Sequence, residues 1–233
     1  MADVLFDAEK QAEAPKEASA ILRLTRLRRG RVLDAACGVG RHSLAFARRG
    51  LQVTGVDQSE AYLQEGRRQA RKARLDIDFK RAQLLDLKPC HGAYDLVVNL
   101  FTSFGYYATA KQNESALRQM AACVKPGGSL AVEILPRETL DAVFQAQSWQ
   151  PVPGGYLLQA RRYLDGGQRL AIRAVWVQGG RSRVQDSVIQ LYTRTELGAL
   201  FKRAGLRKIR SYGEYGAKPF QVGDRLLMIG SRA

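Results

Sequence analysis

Cysteine, histidine and tryptophan are all scarce in this chain of 233 residues. Cys37, Cys90 and Cys123 are an odd number at wide spacing, with only His42 and His91 to join them. That excludes a disulfide framework and a spaced zinc site, so no metal is expected. Long apolar runs are missing too, and nothing approaches the ~20 residues needed to span a bilayer. From Met1 to Lys16 acidic, basic and small residues alternate, without the apolar core of a secretory leader. A cytoplasmic chain with no membrane partner is the expectation. Glycine and proline occur without a fixed period, which removes collagen-like and repeat architectures.

What is present is the composition of a folded domain: 45% hydrophobic and 25% charged residues, enough for one core and short for two. Acidic residues are the minority, 22 against 37 basic, and 27 of those 37 are arginine. A net charge of +15 favours anionic partners but says nothing about fold. The basic residues are also spread, with Arg67, Arg68, Arg71, Lys72 and Arg74 on one stretch and Arg203, Arg207, Lys208 and Arg210 on another. A solvated basic surface is the favoured reading, and a nucleic-acid ligand the less favoured one.

Ile21, Leu24 and Leu27 recur at helical spacing, predicting a covering helix over 16–27. The period then changes. Short apolar runs at 31–35, 51–57, 77–82, 94–99 and 129–134 alternate with helical stretches at 44–49, 60–75 and 111–124. This is the rhythm of βαβ units and a parallel sheet, and Lys125-Pro126-Gly127-Gly128 reads as the turn before the fifth strand. After Leu135 three runs, 156–163, 169–178 and 183–192, are separated by Asp165-Gly166-Gly167 and Gly179-Gly180, which are hairpin signals. Thr193 or Thr195 caps a helix through Ala204, and two strands, 207–212 and 225–229, end the chain.

Asp34-Ala35-Ala36-Cys37-Gly38-Val39-Gly40 follows the first strand, where parallel sheets bind ligands and glycines let a nucleoside-sized ligand approach the backbone. Asp57 ends the second strand, where an acid can accept both ribose hydroxyls of an adenosine. A diphosphate-binding glycine loop would need glycine or alanine where Ser43 stands. Asp34 would repel a pyrophosphate and attract a sulfonium or ammonium. No Gly-Lys-Ser/Thr follows, so a Walker phosphate loop is excluded.

The heptad, Asp57, the Lys125–Gly128 turn and the terminal helix-strand-strand unit together resemble the class I S-adenosylmethionine-dependent methyltransferases, in the form seen in bacterial small-molecule enzymes. The resemblance implies an α/β, Rossmann-like, seven-stranded and mostly parallel sheet with helices on both faces. Its last strand is antiparallel, and an antiparallel β insertion follows strand five. It implies one domain over 1–233. Within it lie a tail and covering helix (1–30), a cofactor-binding core (31–134), an antiparallel flap (135–192) and a C-terminal helix and hairpin (193–233). The implied cofactor is S-adenosylmethionine, leaving as S-adenosylhomocysteine. On that similarity Asp34, Ala36, Cys37, Gly38 and Gly40 face its methionine part and Asp57 and Gln58 its ribose. Gln83, where the family usually has an acid, and Leu84 would meet the adenine.

The segment after strand four, Asn99 and Phe101 to Tyr107, differs from the Asp/Asn-Pro-Pro-Tyr signature of nucleic-acid amino-group methyltransferases. It looks more like the pattern of sugar-amine and other small-molecule N-methyltransferases. Asn99, Tyr106, Tyr107 and His42 are the candidate catalytic residues, with Asn99 orienting the cofactor's amino acid end. Ser103, Tyr106, Trp149, Tyr215 and Phe220 are the candidate acceptor pocket. Arg161, Arg173 and Arg183 add positive charge to the flap, in keeping with an acidic or sugar-like acceptor, and its aromatic surface equally suits a homodimer interface. Arg161 and Arg173 share a face only if the hairpin register permits. His91 reads as loop surface. The expected function is methylation of a small molecule, nitrogen slightly ahead of oxygen or carbon. The alternatives are an RNA or DNA methyltransferase and a non-enzymatic adenosine-ligand binding protein.

Overall fold

The structure, a computed structural model, describes residues 8–87, 90, 92–216 and 218–233. His91 lies outside the described residues. Five strands, β1 (Arg31–Ala35), β2 (Gln52–Asp57), β3 (Ile77–Arg81), β4 (Tyr94–Asn99) and β5 (Val124–Ile134), run parallel. The helices between them are α2 (Arg41–Ala47), α3 (Glu60–Lys72) and α4 (Ala110–Cys123), and α1 (Ala8–Thr25) precedes them. β12 (Leu226–Arg232) runs antiparallel between β5 and β10 (Leu206–Gly213). The sheet order is β11-β10-β12-β5-β4-β1-β2-β3. It has eight strands rather than seven, because Lys218–Pro219 forms a two-residue β11 on the outer edge of β10.

The parallel strands are apolar on both sides because both sides are covered. Val97, Leu117, Met120, Leu130 and Phe201 fill the layer under α4 and α6 (Arg194–Arg203). Ile21, Val32, Phe46, Leu96 and Val98 fill the opposite layer, under α1 and α2. Phe46, Phe201 and Ile21 are fully buried, each contributing about 1.5–3 kcal/mol through apolar burial. α1 begins well before the expected Lys16 and contains Pro15. Burial of Ala14, Ala18 and Ile21 carries the helix through a residue that propensity disfavours. Lys125–Gly128 lies within β5 rather than forming a separate turn. Gly127 there takes φ +78°, and the register jumps from Tyr94–Val124 to Leu96–Ser129.

Between β5 and α6 the chain builds a second sheet of four strands, one more than expected: β6 (Gln147–Val152), β7 (Gly155–Leu164), β8 (Arg169–Gln178) and β9 (Arg181–Gln190). A short helix, α5 (Arg137–Ala142), leads into it. Thr193, not Thr195, caps α6 through a reciprocal box with Glu196. In the main sheet the strand order reverses between β1 and β4, the place where open α/β sheets receive ligands. The flap lies over that end.

Candidate active site

The turn after β1 is wound by three left-handed residues, Ala36 (φ +62°), Gly38 (φ +56°) and Gly40 (φ +79°). Ala36 has a Cβ and tolerates this conformation only because its surroundings enforce it. The Cys37 N–H donates to the Val56 carbonyl (2.9 Å), tying the turn to β2. Gly40 is needed for packing as well, since a Cβ there would stand 2.7 Å from the Phe79 ring. It faces that ring and lines neither of the two cavities described below. Burial, reinforced by the charges of Asp34 and Asp57, pushes the Cys37 thiol well above its ordinary value, so it stays an inert packing group.

Asp57 is held by main chain on both oxygens: Gly38 N–H donates to Oδ2 (2.8 Å) and Ser59 N–H to Oδ1 (2.9 Å). The carboxylate thus keeps one orientation and retains acceptor capacity. Beside it is a cavity of about 350 Å³, whose walls include Ala36, Gln58, Gln83, Leu84 and Tyr107. The Tyr107 hydroxyl accepts from Leu85 N–H (3.2 Å), and its backbone N–H donates to Asn113. Tyr107 therefore fixes the wall around Leu84 and does not reach the acceptor side.

A second cavity, about 420 Å³, shares Ala36, Asp57, Gln58, Ser103 and Tyr106 with the first. Asp34, Cys37 and Gly38 form its floor. Asp34 is 2% exposed and accepts from Ser43 Oγ (2.6 Å). Burial raises its carboxyl above the ordinary range, opposed by His42, the Ser43 bond and Arg41. The inner face of the flap forms the roof: Leu157, Gln159, Ile172, Ala174, Trp176, Gln185 and Ser187.

Asn99 does not line either cavity. It is fully buried, its Nδ2 donates to the Ala35 carbonyl (2.8 Å), and its Oδ1 has no partner. It is a positioning residue that locks the end of β1 to the end of β4. Beyond it Phe101 and Thr102 are both left-handed (φ +58° and +54°). Two guanidinium groups lie over the Phe101 ring, Arg41 at 4.7 Å and Arg225 at 5.3 Å from its centroid. Its N–H donates to the buried Glu133, which also receives Arg225 (3.0 Å) and the Tyr215 hydroxyl (3.2 Å).

Several sequence candidates fall elsewhere. His42 lines the second cavity, but its Nε2 lies 2.6 Å from Glu17 of α1, and Arg41 reaches the same carboxylate at 3.0 Å. That engagement argues against its use as a base. Trp149 is on the outer face of the flap, 69% exposed and edge-on to Tyr156, because β6 pairs Trp149 with the outward Leu158. Tyr215 belongs to the Glu133 cluster behind Phe101, and Phe220 packs against the main core. Arg161 pairs with Ile172 and Arg173 with Ala160, so the two arginines are on opposite faces. Arg161 is bound to Ser148 and Gln159, and Arg173 to Asp186, and neither lines the cavity. The sequence reading counts Trp176 with Trp149 in the flap's aromatic surface but selects Trp149 for the pocket, and it does not name the other roof residues. Alternation along the three hairpin strands was the available signal, but it needs the register to choose a face.

Fold and loop together have the form of a class I S-adenosylmethionine-dependent methyltransferase domain. Residues 32–128 match the family model described as "Methyltransferase domain". Among curated relatives, an S-adenosyl-L-methionine-dependent Diels-Alderase of Talaromyces variabilis is 34% identical over 48% of this chain and 39% of its own length. The dTDP-3-amino-3,4,6-trideoxy-alpha-D-glucopyranose N,N-dimethyltransferase of Streptomyces venezuelae is 32% identical over 55% of this chain and 54% of its own. The chain spans about half the length, or less, of these relatives. An S-adenosylmethionine-dependent methyltransferase structure from Clostridium acetobutylicum superposes with a TM-score of 0.84, covering 95% of this chain and 92% of that one at 14% identity, a likeness of fold.

The residues present fit that cofactor. Main-chain turns at Ala36 and Gly38 leave room for it, Asp57 offers fixed acceptors to ribose hydroxyls, and the Gln83 amide oxygen can accept from the adenine amine. Asp34 supplies negative charge where an ammonium or sulfonium would lie. Among the described residues no group of three or more His, Cys, Asp and Glu could hold a metal, and no helix is long and apolar enough to cross a membrane.

Proposed function

We propose that the protein transfers the methyl group of S-adenosylmethionine to a small-molecule acceptor, most readily at nitrogen. The observation that carries this reading is the second cavity, which has the cofactor loop as its floor and the flap as its roof. When bound, the cofactor supplies a sulfonium methyl carbon that bonds to the acceptor lone pair as the carbon–sulfur bond breaks, its electron pair returning to sulfur. The chain's task is alignment and exclusion of water. Asp57 and Gln83 hold the adenosine end, Asp34 the amino acid end, and Ser103 and Tyr106 stand at the junction of the two cavities.

Nitrogen is favoured because the roof offers no titratable side chain: Leu157, Gln159, Ile172, Ala174, Trp176, Gln185 and Ser187 are all neutral. An uncharged amine attacks without prior deprotonation, whereas an alcohol needs a base. The Streptomyces venezuelae relative, named as an N,N-dimethyltransferase of an amino sugar, supports the same choice.

The test is calorimetric titration with S-adenosylmethionine and S-adenosylhomocysteine at two salt concentrations. Labelled methyl transfer to panels of uncharged amines, alcohols and carboxylic acids follows. Salt-insensitive micromolar binding and transfer to amines are expected. Absence of binding to either, or strongly salt-dependent methylation of RNA instead, would replace the reading.

A further inference from the structure

The inner face of the flap continues outward past the cavity. In β8 and β9, Ile172 pairs with Ser187, Ala174 with Gln185, Trp176 with Arg183 and Gln178 with Arg181, so all eight share the face that roofs the site. Trp176, Gln178, Arg181, Ser182 and Arg183 line a groove of about 320 Å³, and Trp176 is also part of the cavity wall. Trp176 is 6% exposed, yet its Nε1–H has no hydrogen-bond partner. A buried, unpaired indole N–H costs free energy unless something accepts from it.

The two arginines are unengaged in the same sense. Neighbouring flap carboxylates are taken, Asp186 by Arg173 on the opposite face and Asp165 by Arg169. Among the described residues neither Arg181 nor Arg183 enters an ion pair. At roughly 6.6 Å per two residues of strand, Arg183 stands about 7 Å and Arg181 about 13 Å beyond Gln185. Two guanidinium forks at that spacing suit oxygens of a phosphate or diphosphate, which they bind bidentately.

We infer that the methyl acceptor is a phosphorylated small molecule held in two parts. Its uncharged, methyl-accepting end occupies the cavity, Trp176 donates to it at the waist, and its phosphate or diphosphate lies against Arg183 and Arg181. That the ligand is the acceptor rests on the methyl-transfer reading; that the groove holds a phosphate does not.

Replacing Trp149 by phenylalanine leaves Trp176 as the single tryptophan, a reporter inside the site. Inorganic pyrophosphate and uridine diphosphate are titrated into W149F with and without saturating S-adenosylhomocysteine, followed by fluorescence and calorimetry. Saturable binding that changes Trp176 emission and survives S-adenosylhomocysteine is expected. In W149F carrying R181Q and R183Q, two exposed positions, affinity should fall at least tenfold while S-adenosylhomocysteine affinity stays within twofold. Three results overturn the inference: no saturable binding, equal binding after the arginine substitutions, or displacement by S-adenosylhomocysteine. If S-adenosylhomocysteine itself does not bind, the methyl-transfer reading fails, while the phosphate titration still decides the groove.

Discussion

The Gly105 carbonyl accepts a hydrogen bond from Gln190 N–H at 2.8 Å, joining the loop after β4 to the last strand of the flap. Gly105 has φ +109°, and a Cβ there would stand 2.6 Å from the Gln190 carbonyl oxygen. Gly105→Ala is expected to cost about 1–3 kcal/mol, roughly 2–4 °C of Tm per kcal/mol in a chain of this size. Because it pries the roof from the loop, methyl transfer should fall more than S-adenosylhomocysteine affinity. Thermal unfolding, calorimetry and turnover on the same sample check this.

Asp34→Asn should separate stability from function. With the Asp34 carboxyl raised, the folded state holds that proton more tightly than the unfolded chain, whose value is near 3.8. The stability this contributes is complete below that value and is lost as pH rises through the raised one. Above the raised value the charged, buried group is a liability. The amide variant should melt higher at pH 7, show a flatter acid limb, and bind S-adenosylmethionine at least tenfold more weakly. Melting curves from pH 4 to 8 and titration at pH 7 measure both.

Glu17 works in the opposite sense. Burial would raise its carboxyl, but the His42 hydrogen bond and the charges of His42, Arg41 and Arg225 outweigh burial and hold it below its ordinary 4.5. Its contribution is present above 4.5 and is lost as pH falls through the lower folded value. Glu17→Gln leaves the buried Arg41 without this carboxylate and should cost about 3 kcal/mol at pH 7. The penalty should shrink on acidification, as parallel denaturant titrations at pH 7 and pH 3.5 would show.

Asn99 and Tyr106 should respond differently. Asn99→Ala removes the donor to the Ala35 carbonyl and should cost about 1–3 kcal/mol while weakening cofactor binding. Tyr106→Phe should leave stability and cofactor affinity within twofold, since Tyr106 is half-exposed and contributes a ring to both cavities. Equal losses in the two variants would contradict this division of roles.

The parallel core was legible because strands buried on both faces carry continuous apolar runs, as Leu96, Val97 and Val98 of β4 do, and because the β1 turn needs residues that take positive φ. The roof was less so. Trp149 and Trp176 are similar as letters, yet one is 69% exposed outside and the other 6% exposed within, a difference set by hairpin register. β6 carries no usable pattern, since only Ser148 and Val152 are even partly buried. The Glu17–His42 contact joins residues 25 apart on separate helices, which no local spacing reveals.

The main-chain grip on Asp57 bears on how this domain can change over time. Its acceptors are aimed by the peptide N–H groups of Gly38 and Ser59, and at position 59 any residue but proline would still supply the donor. The cofactor half can therefore drift in sequence without losing its shape, while the roof comes from one contiguous stretch between β5 and α6. A new acceptor could be acquired by exchanging that stretch alone, provided the new one still docks on Gly105. The fold is in this sense a socket with an interchangeable cover.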